Sequence, residues 1–231
     1  MNHSIRKVAR ALILVGAVAV LLPAAAQAYI NAGFRSRAEY EAYLKEKERR
    51  ENPRDPEDFY NRGCQRGTSG LWERAIADFD HAIRLSPEFA RAFVARGTVR
   101  WKQEEYAKAI ADYQEAVRLD PRATPACLRL AVAYGTCPEA KLRSPARAIA
   151  TAKRACELSG YRDPDCVQVL AALHAQAGNF EAAVKWQSRV LTMPLAFGAH
   201  QAEQRLEQYR QRKSPEWDLE RNLTDAAVLK E

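Results

Sequence analysis

ERAIADFDHAIRLSP, running from Glu73 to Pro87, returns as AKAIADYQEAVRLDP from Ala107 to Pro121, an offset of 34 residues held over the whole string. Within the first copy Ala75, Ile76, Phe79, Ala82 and Ile83 fall at i, i+1, i+4, i+7 and i+8, which paints one apolar stripe on a helix. Pro87 follows Leu85 and Ser86 and stops that helix, because proline has no amide hydrogen and its ring clashes with the preceding turn. The same offset holds outside the quoted string. Gly63 becomes Gly97 and then Ala131, and Trp72 becomes Tyr106. Phe59, Tyr60 and Gly63 belong to a first helix, whose small residue admits a partner helix closely; Ala75 and Ala109 offer the same closeness from the other side. On this reading Gly97 faces Ala109. The unit is a helical hairpin, and a single hairpin cannot cover its own apolar face, so several must stack in line.

The order small, small, aromatic, small and closing proline occurs as Gly63, Ala75, Phe79, Ala82 and Pro87, then as Gly97, Ala109, Tyr113, Ala116 and Pro121. In this the chain resembles the tetratricopeptide-repeat family. A third unit departs from the pattern. Its first helix runs through Cys127, Leu130, Ala131 and Tyr134, but Ala148, Ile149, Ala155 and Leu158 arrive five residues late, after the lengthened loop GTCPEAKLRSP. A fourth resumes with Leu170, Ala171, the Gly178-Asn179-Phe180 turn, Ala183, Val184 and Val190. The Thr136-Cys137-Pro138 loop and Ala155-Cys156-Glu157-Leu158 are also similar to a tandem of exported or membrane-linked bacterial repeat proteins. The fold expected is all-α, an α-solenoid of four helix-turn-helix hairpins with flanking capping helices. The array spans 55–195, divided as 55–88, 89–122, 123–162 and 163–195. A capping helix or linker over 29–54 is opened by a Ser36/Glu39 capping box and carries Tyr40, Tyr43 and Leu44 on one side before running out in Lys45–Glu51. Another capping helix occupies 196–214, with Ala199, Ala202, Leu206 and Tyr209, and 215–231 is a flexible polar tail.

The first 28 residues read as a signal peptide: Arg6, Lys7 and Arg10 precede the apolar run Ala11–Leu22, and Ala26-Gln27-Ala28 fits a small-x-small cleavage site. Cleavage between Ala28 and Tyr29 places the mature chain in the periplasm or outside the cell. The dozen apolar residues fall short of the ~17–25 that span a bilayer, so membrane attachment would come only through an uncleaved leader. Loss of those three cations lowers the net charge from +7 to +4, with acids and bases interleaved. No basic block suited to a phosphate backbone remains, and nucleic acid is not an expected partner.

The chain shows no phosphate-binding glycine loop, nucleophile elbow or paired metal ligands, so no enzyme activity, cofactor, metal or small-molecule substrate is expected. Glu73, Asp78, Asp112, Glu115 and Glu181 are read as solvated charges on exposed helical faces. The five cysteines lack a Cys-x-x-Cys spacing, and export makes a disulfide chemically allowed; one is expected to join Cys156 to Cys127 or Cys166, against five buried free thiols.

The family resemblance implies a concave face built from the first helix of each hairpin, where a peptide or helix of a partner protein would lie. Residues there that the hairpin core does not use are Tyr60 and Cys64 in the first unit and Arg91, Val94, Thr98, Trp101 and Lys102 in the second. Leu128 and Val132 follow in the third, and Gln168, Ala172 and Gln176 in the fourth. Trp101 stands where other units have Gly67, Gly135 and Ala175, so it serves either as a binding hot spot or as packing against a neighbouring repeat. The lysines and asparagines of the family's carboxylate clamp are missing, which removes chaperone-tail recognition. The function expected is a non-catalytic adaptor or scaffold of the cell envelope, or alternatively a structural repeat protein that assembles with itself through its ends.

Overall fold

The computed structural model describes residues 37–194 and 199–214. The expected signal peptide with its Ala28/Tyr29 junction, Ser36 of the capping box, and the 215–231 tail lie outside the described residues. The chain divides after Arg54 into two compact units. In the first, helix α1 (Arg37–Glu51) continues through the charged stretch where the sequence suggested fraying. Glutamate, lysine and arginine are strong helix formers, which explains the extension. Tyr43 and Leu44 of α1 are exposed.

The second unit begins at Asp55, whose carboxylate accepts the Asp58 N–H at 2.8 Å and caps α2 (Pro56–Thr68), with Pro56 preset for the first turn. Antiparallel to α2 runs α3 (Trp72–Leu85), and the pairing repeats as α4 (Ala90–Lys102) with α5 (Tyr106–Leu119). It repeats again as α6 (Thr124–Thr136) with α7 (Pro145–Leu158), and as α8 (Pro164–Gln176) with α9 (Phe180–Val190). Each second helix also packs on the first helix of the next hairpin, and α10 (Ala199–Arg210) closes on α9. No strand occurs among the described residues. The result is an all-α solenoid of stacked hairpins. Ala202, Leu206 and Tyr209 of α10 turn inward, whereas Ala199 is exposed.

The stripe residues Ala75, Phe79 and Ala82 are fully buried, as are Ala109 and Ala116. In the first two hairpins the small residue of the first helix meets the aromatic ring of the second. A Cβ on Gly63 would sit 2.6 Å from Phe79 Cε1, and one on Gly97 would sit 2.8 Å from Tyr113 Cε1. The missing side chain of Gly97 thus makes room for the Tyr113 ring, on the same helix that carries the fully buried Ala109. Enlarging Ala109, which has no exposed surface, still has nowhere to go. Ala109→Leu should cost about 1–3 kcal/mol by overpacking, read as a lower urea midpoint; an unchanged midpoint would contradict this packing.

Two of the acids read as solvated are instead among the most buried side chains. Asp78 is 2% exposed and Asp112 3%. Asp78 accepts from Arg62 Nη2 at 2.6 Å and Arg66 Nη1 at 2.7 Å; Asp112 accepts from Arg96 Nη2 at 2.6 Å and Arg100 Nη1 at 2.8 Å. The two clamps are copies 34 residues apart, each joining the two helices of a hairpin. Their physical reason is mutual: a carboxylate leaves water only when donors replace the lost hydration. Glu73, Glu115 and Glu181 remain at the surface, and Arg118 donates to Glu115 through both Nη2 (2.6 Å) and Nε (2.8 Å).

The third hairpin has no such clamp. Leu130 and Tyr134 stand where the arginines were, Thr151 where the aspartate was, and Ala152 where the ring was. Its lengthened loop folds into a single 3-10 turn, Ala140–Leu142, and the Ser144 N–H donates to the Tyr134 carbonyl at 2.8 Å, which ties the loop back to α6. The five-residue delay in the sequence is absorbed there, so α7 takes the same place that α3 and α5 take in their hairpins.

Candidate interaction surface

The first helices α2, α4, α6 and α8 present equivalent positions at 34-residue steps for the first three, with Tyr60, Val94 and Leu128 occupying one such row. All three are buried, at 2%, 7% and 6% exposure. Part of the reason is the neighbouring hairpin. The Phe89 ring lies 5.2 Å from that of Tyr60, and the Arg91 guanidinium lies 5.2 Å from both rings while bonding Glu57 at 2.8 Å. Burial pushes the Tyr60 hydroxyl up, reinforced by its hydrogen bond with Cys64.

Thr98 is 3% exposed and uses its hydroxyl twice, donating to the Val94 carbonyl at 2.9 Å and standing 3.3 Å from the Tyr113 hydroxyl. Trp101 is 8% exposed, with its indole edge on Tyr106 at 4.9 Å, in one apolar cluster with Val94, Leu128 and Val132. Cys64, Val132 and Ala172 are likewise buried. Arg91, Lys102 and Gln176 are exposed, and Gln168 is half-buried, where it accepts a hydrogen bond from Arg205 of α10. The row therefore has a closed apolar floor and a polar rim. Exposure of individual residues depends on the next hairpin, which a single-helix reading does not contain.

All five cysteines are free and buried, so the bridge expected from Cys156 to Cys127 or Cys166 is not formed in this structure. Cys166 instead donates to Asp163 Oδ2 at 3.2 Å, beside the capping bond that Asp163 accepts from the Asp165 N–H. The thiols serve here as small apolar fillers. Burial pushes Cys64 up to about 11 and Cys156 up to about 12 from the ordinary 9.0, and raises Cys127, Cys137 and Cys166 as well. An unfolded chain releases thiol protons near pH 9, before the folded one does. This stabilisation is therefore complete below about pH 9 and is lost as pH climbs toward 12. Urea midpoints should hold steady from neutrality to about pH 8 and fall above about pH 9, with a gentler fall in Cys156→Ala. A flat profile to about pH 11 would contradict it. Unfolded, unreduced protein should titrate five thiols.

Among the described residues no group of histidines, cysteines and acids is placed to hold a metal ion, and no helix is long and apolar enough to cross a membrane.

Residues 60–124 match the sequence model of the tetratricopeptide repeat. No curated protein matches the chain. Several solved structures share its fold at low identity. TTC0263, a thermophilic TPR protein of Thermus thermophilus, is 20% identical with a TM-score of 0.58, covering 81% of this chain and 95% of its own. YrrB, described as a TPR protein with an unusual peptide-binding site, is 22% identical with a TM-score of 0.55, covering 78% and 89%. MamA from Desulfovibrio magneticus is 24% identical with a TM-score of 0.53, covering 72% and 89%.

Proposed function

Because the chain is a tetratricopeptide-repeat protein, we propose that it is a non-catalytic scaffold of the cell envelope, holding a peptide or helix of a partner protein along its first-helix face. The observation that carries this reading is the row itself. Successive first helices bring Tyr60, Val94 and Leu128 into line on an apolar floor, with Arg91, Lys102 and Gln176 as its polar rim. Such a surface has length, register and little chemistry, which suits extended recognition rather than turnover. Peptide binding by YrrB supports the comparison at the level of the fold.

Site-specific photocrosslinking tests the face. A crosslinker at Lys102 should trap one defined partner from an envelope extract, whereas one at Arg84, exposed on a second helix, should not. Lys102→Glu should weaken capture of that partner by about tenfold without a change in melting, since exposed substitutions shift stability by only about 0.5 kcal/mol. Equal trapping from both positions would overturn the assignment of the face. The envelope location rests on the sequence of residues 1–28, and mass spectrometry of the native protein should find Tyr29 at the N-terminus. Intact Met1 in the soluble cytosol would overturn that location.

A further inference from the structure

The turn between α7 and α8 and the last turn of α9 together carry features that the first-helix face does not use. An open cavity of about 590 Å3 lies there, lined by Tyr161, Arg162, Arg189, Thr192, Met193 and Pro194. Both guanidiniums are exposed, and among the described residues neither has an acid or a hydrogen-bond partner. Some exposed arginines elsewhere in the array do have one: Arg91 holds Glu57, Arg118 holds Glu115, and Arg154 donates to the Pro121 carbonyl. Arg189 instead lies 5.0 Å from the centre of the Tyr161 ring.

Tyr161 has φ of +56°, immediately after Gly160 at +59°. A bulky L residue rarely enters this left-handed region, and such outliers concentrate where a surrounding structure holds a side chain for a purpose. Here the Tyr161 N–H donates to the Cys156 carbonyl at 2.7 Å, and its ring stacks on Trp186 at 5.3 Å with the planes only 5° apart. Lys185 Nζ stands 5.6 Å from the Trp186 ring. Trp186 occupies the register filled by Asp78 and Asp112 in the first two hairpins, so the fourth has exchanged an inward carboxylate for an aromatic platform carrying cations.

We propose that this cavity is a second recognition site, separate from the first-helix face, that takes an acidic segment of a partner protein. Two guanidinium forks suit carboxylates, which they can engage through paired N–H donors. Tyr161, Met193 and Pro194 supply an apolar wall for a side chain next to the acid, and among the described residues no acid lines the cavity. Its volume lies within the range of sites that hold small ligands or a few residues. A bare phosphate would leave the apolar wall unused.

Fluorescence polarisation on the full chain tests this with a fluorescein-labelled octapeptide of alternating glutamate and leucine. Binding should be saturable and should weaken about fivefold or more between roughly 50 and 300 mM salt. The double variant Arg162→Gln/Arg189→Gln should lose about tenfold or more, as expected for the loss of charge-assisted bonds. Tyr161→Gly fits the left-handed backbone, so it should melt no lower than the parent yet bind about fivefold more weakly. Lys102→Glu should bind the peptide like the parent, which separates this site from the first-helix face. Parent-like affinity in the double variant, or no saturable binding at all, would overturn the proposal. So would anionic phospholipid vesicles or inorganic phosphate engaging these two arginines more tightly than the peptide.

Discussion

Asp112→Ala should lower the stability of the chain by about 3–5 kcal/mol, the cost of leaving buried charge without its counterpart. Asp112 is 3% exposed, and the side chains of Arg96 and Arg100 retain only 14% and 19% of their exposure. Neither arginine can swing fully into water without leaving the hairpin. Arg96 keeps one remaining acid, Asp80 at 2.5 Å, which places the cost toward the lower end. The chain also contains the control. In the third hairpin the equivalent places are held by Leu130, Tyr134 and Thr151, a combination without charge. Transplanting it as Arg96→Leu, Arg100→Tyr and Asp112→Thr should restore most of the loss, because replacing a whole buried ionic group by packed neutral side chains is often neutral or stabilising. Urea unfolding of the parent, the single variant and the triple variant measures all three terms. A single variant as stable as the parent would mean the clamp is dispensable.

Trp101→Ala should cost about 3–5 kcal/mol in stability, the range for truncating a large aromatic in a core. With 8% exposure, a T-shaped contact on Tyr106 and a place in the apolar cluster that runs from the second hairpin into the third, the indole is part of that shared core. Damage at such a junction uncouples two neighbours, because each hairpin is stabilised mainly by those beside it. Partner capture by the folded fraction should stay close to that of the parent. The opposite result, near-normal melting with affinity reduced by about 2 kcal/mol or more, would restore Trp101 as a contact residue.

The architecture was legible because period and chemistry coincide. Ala75, Phe79 and Ala82 recur at fixed spacing, and each is buried. The depth of the polar positions was not legible. A helical wheel treats Asp78 as an edge residue, one place from Phe79, and says nothing of arginines on another helix. A signal did exist, since Arg62, Arg66 and Asp78 recur together as Arg96, Arg100 and Asp112 in the same register. Groove exposure failed for a related reason: Tyr60 is flanked by Phe89, which belongs to the next hairpin, so no single unit contains the answer. The Tyr161–Trp186 stack depends on a left-handed tyrosine in a turn, a conformation for which residue spacing gives no warning.

The buried thiols also turn the solenoid into its own recorder. Cys64 sits in the first hairpin, Cys127, Cys137 and Cys156 in the third, and Cys166 in the fourth, all shielded from solvent. A linear array frays hairpin by hairpin, since each contacts only those beside it. A thiol reagent under native conditions therefore reads the clock time at which each segment first opens. Labelling that reaches Cys64 well before Cys127 would show unzipping from that flank, and simultaneous labelling would show the hairpins opening as one.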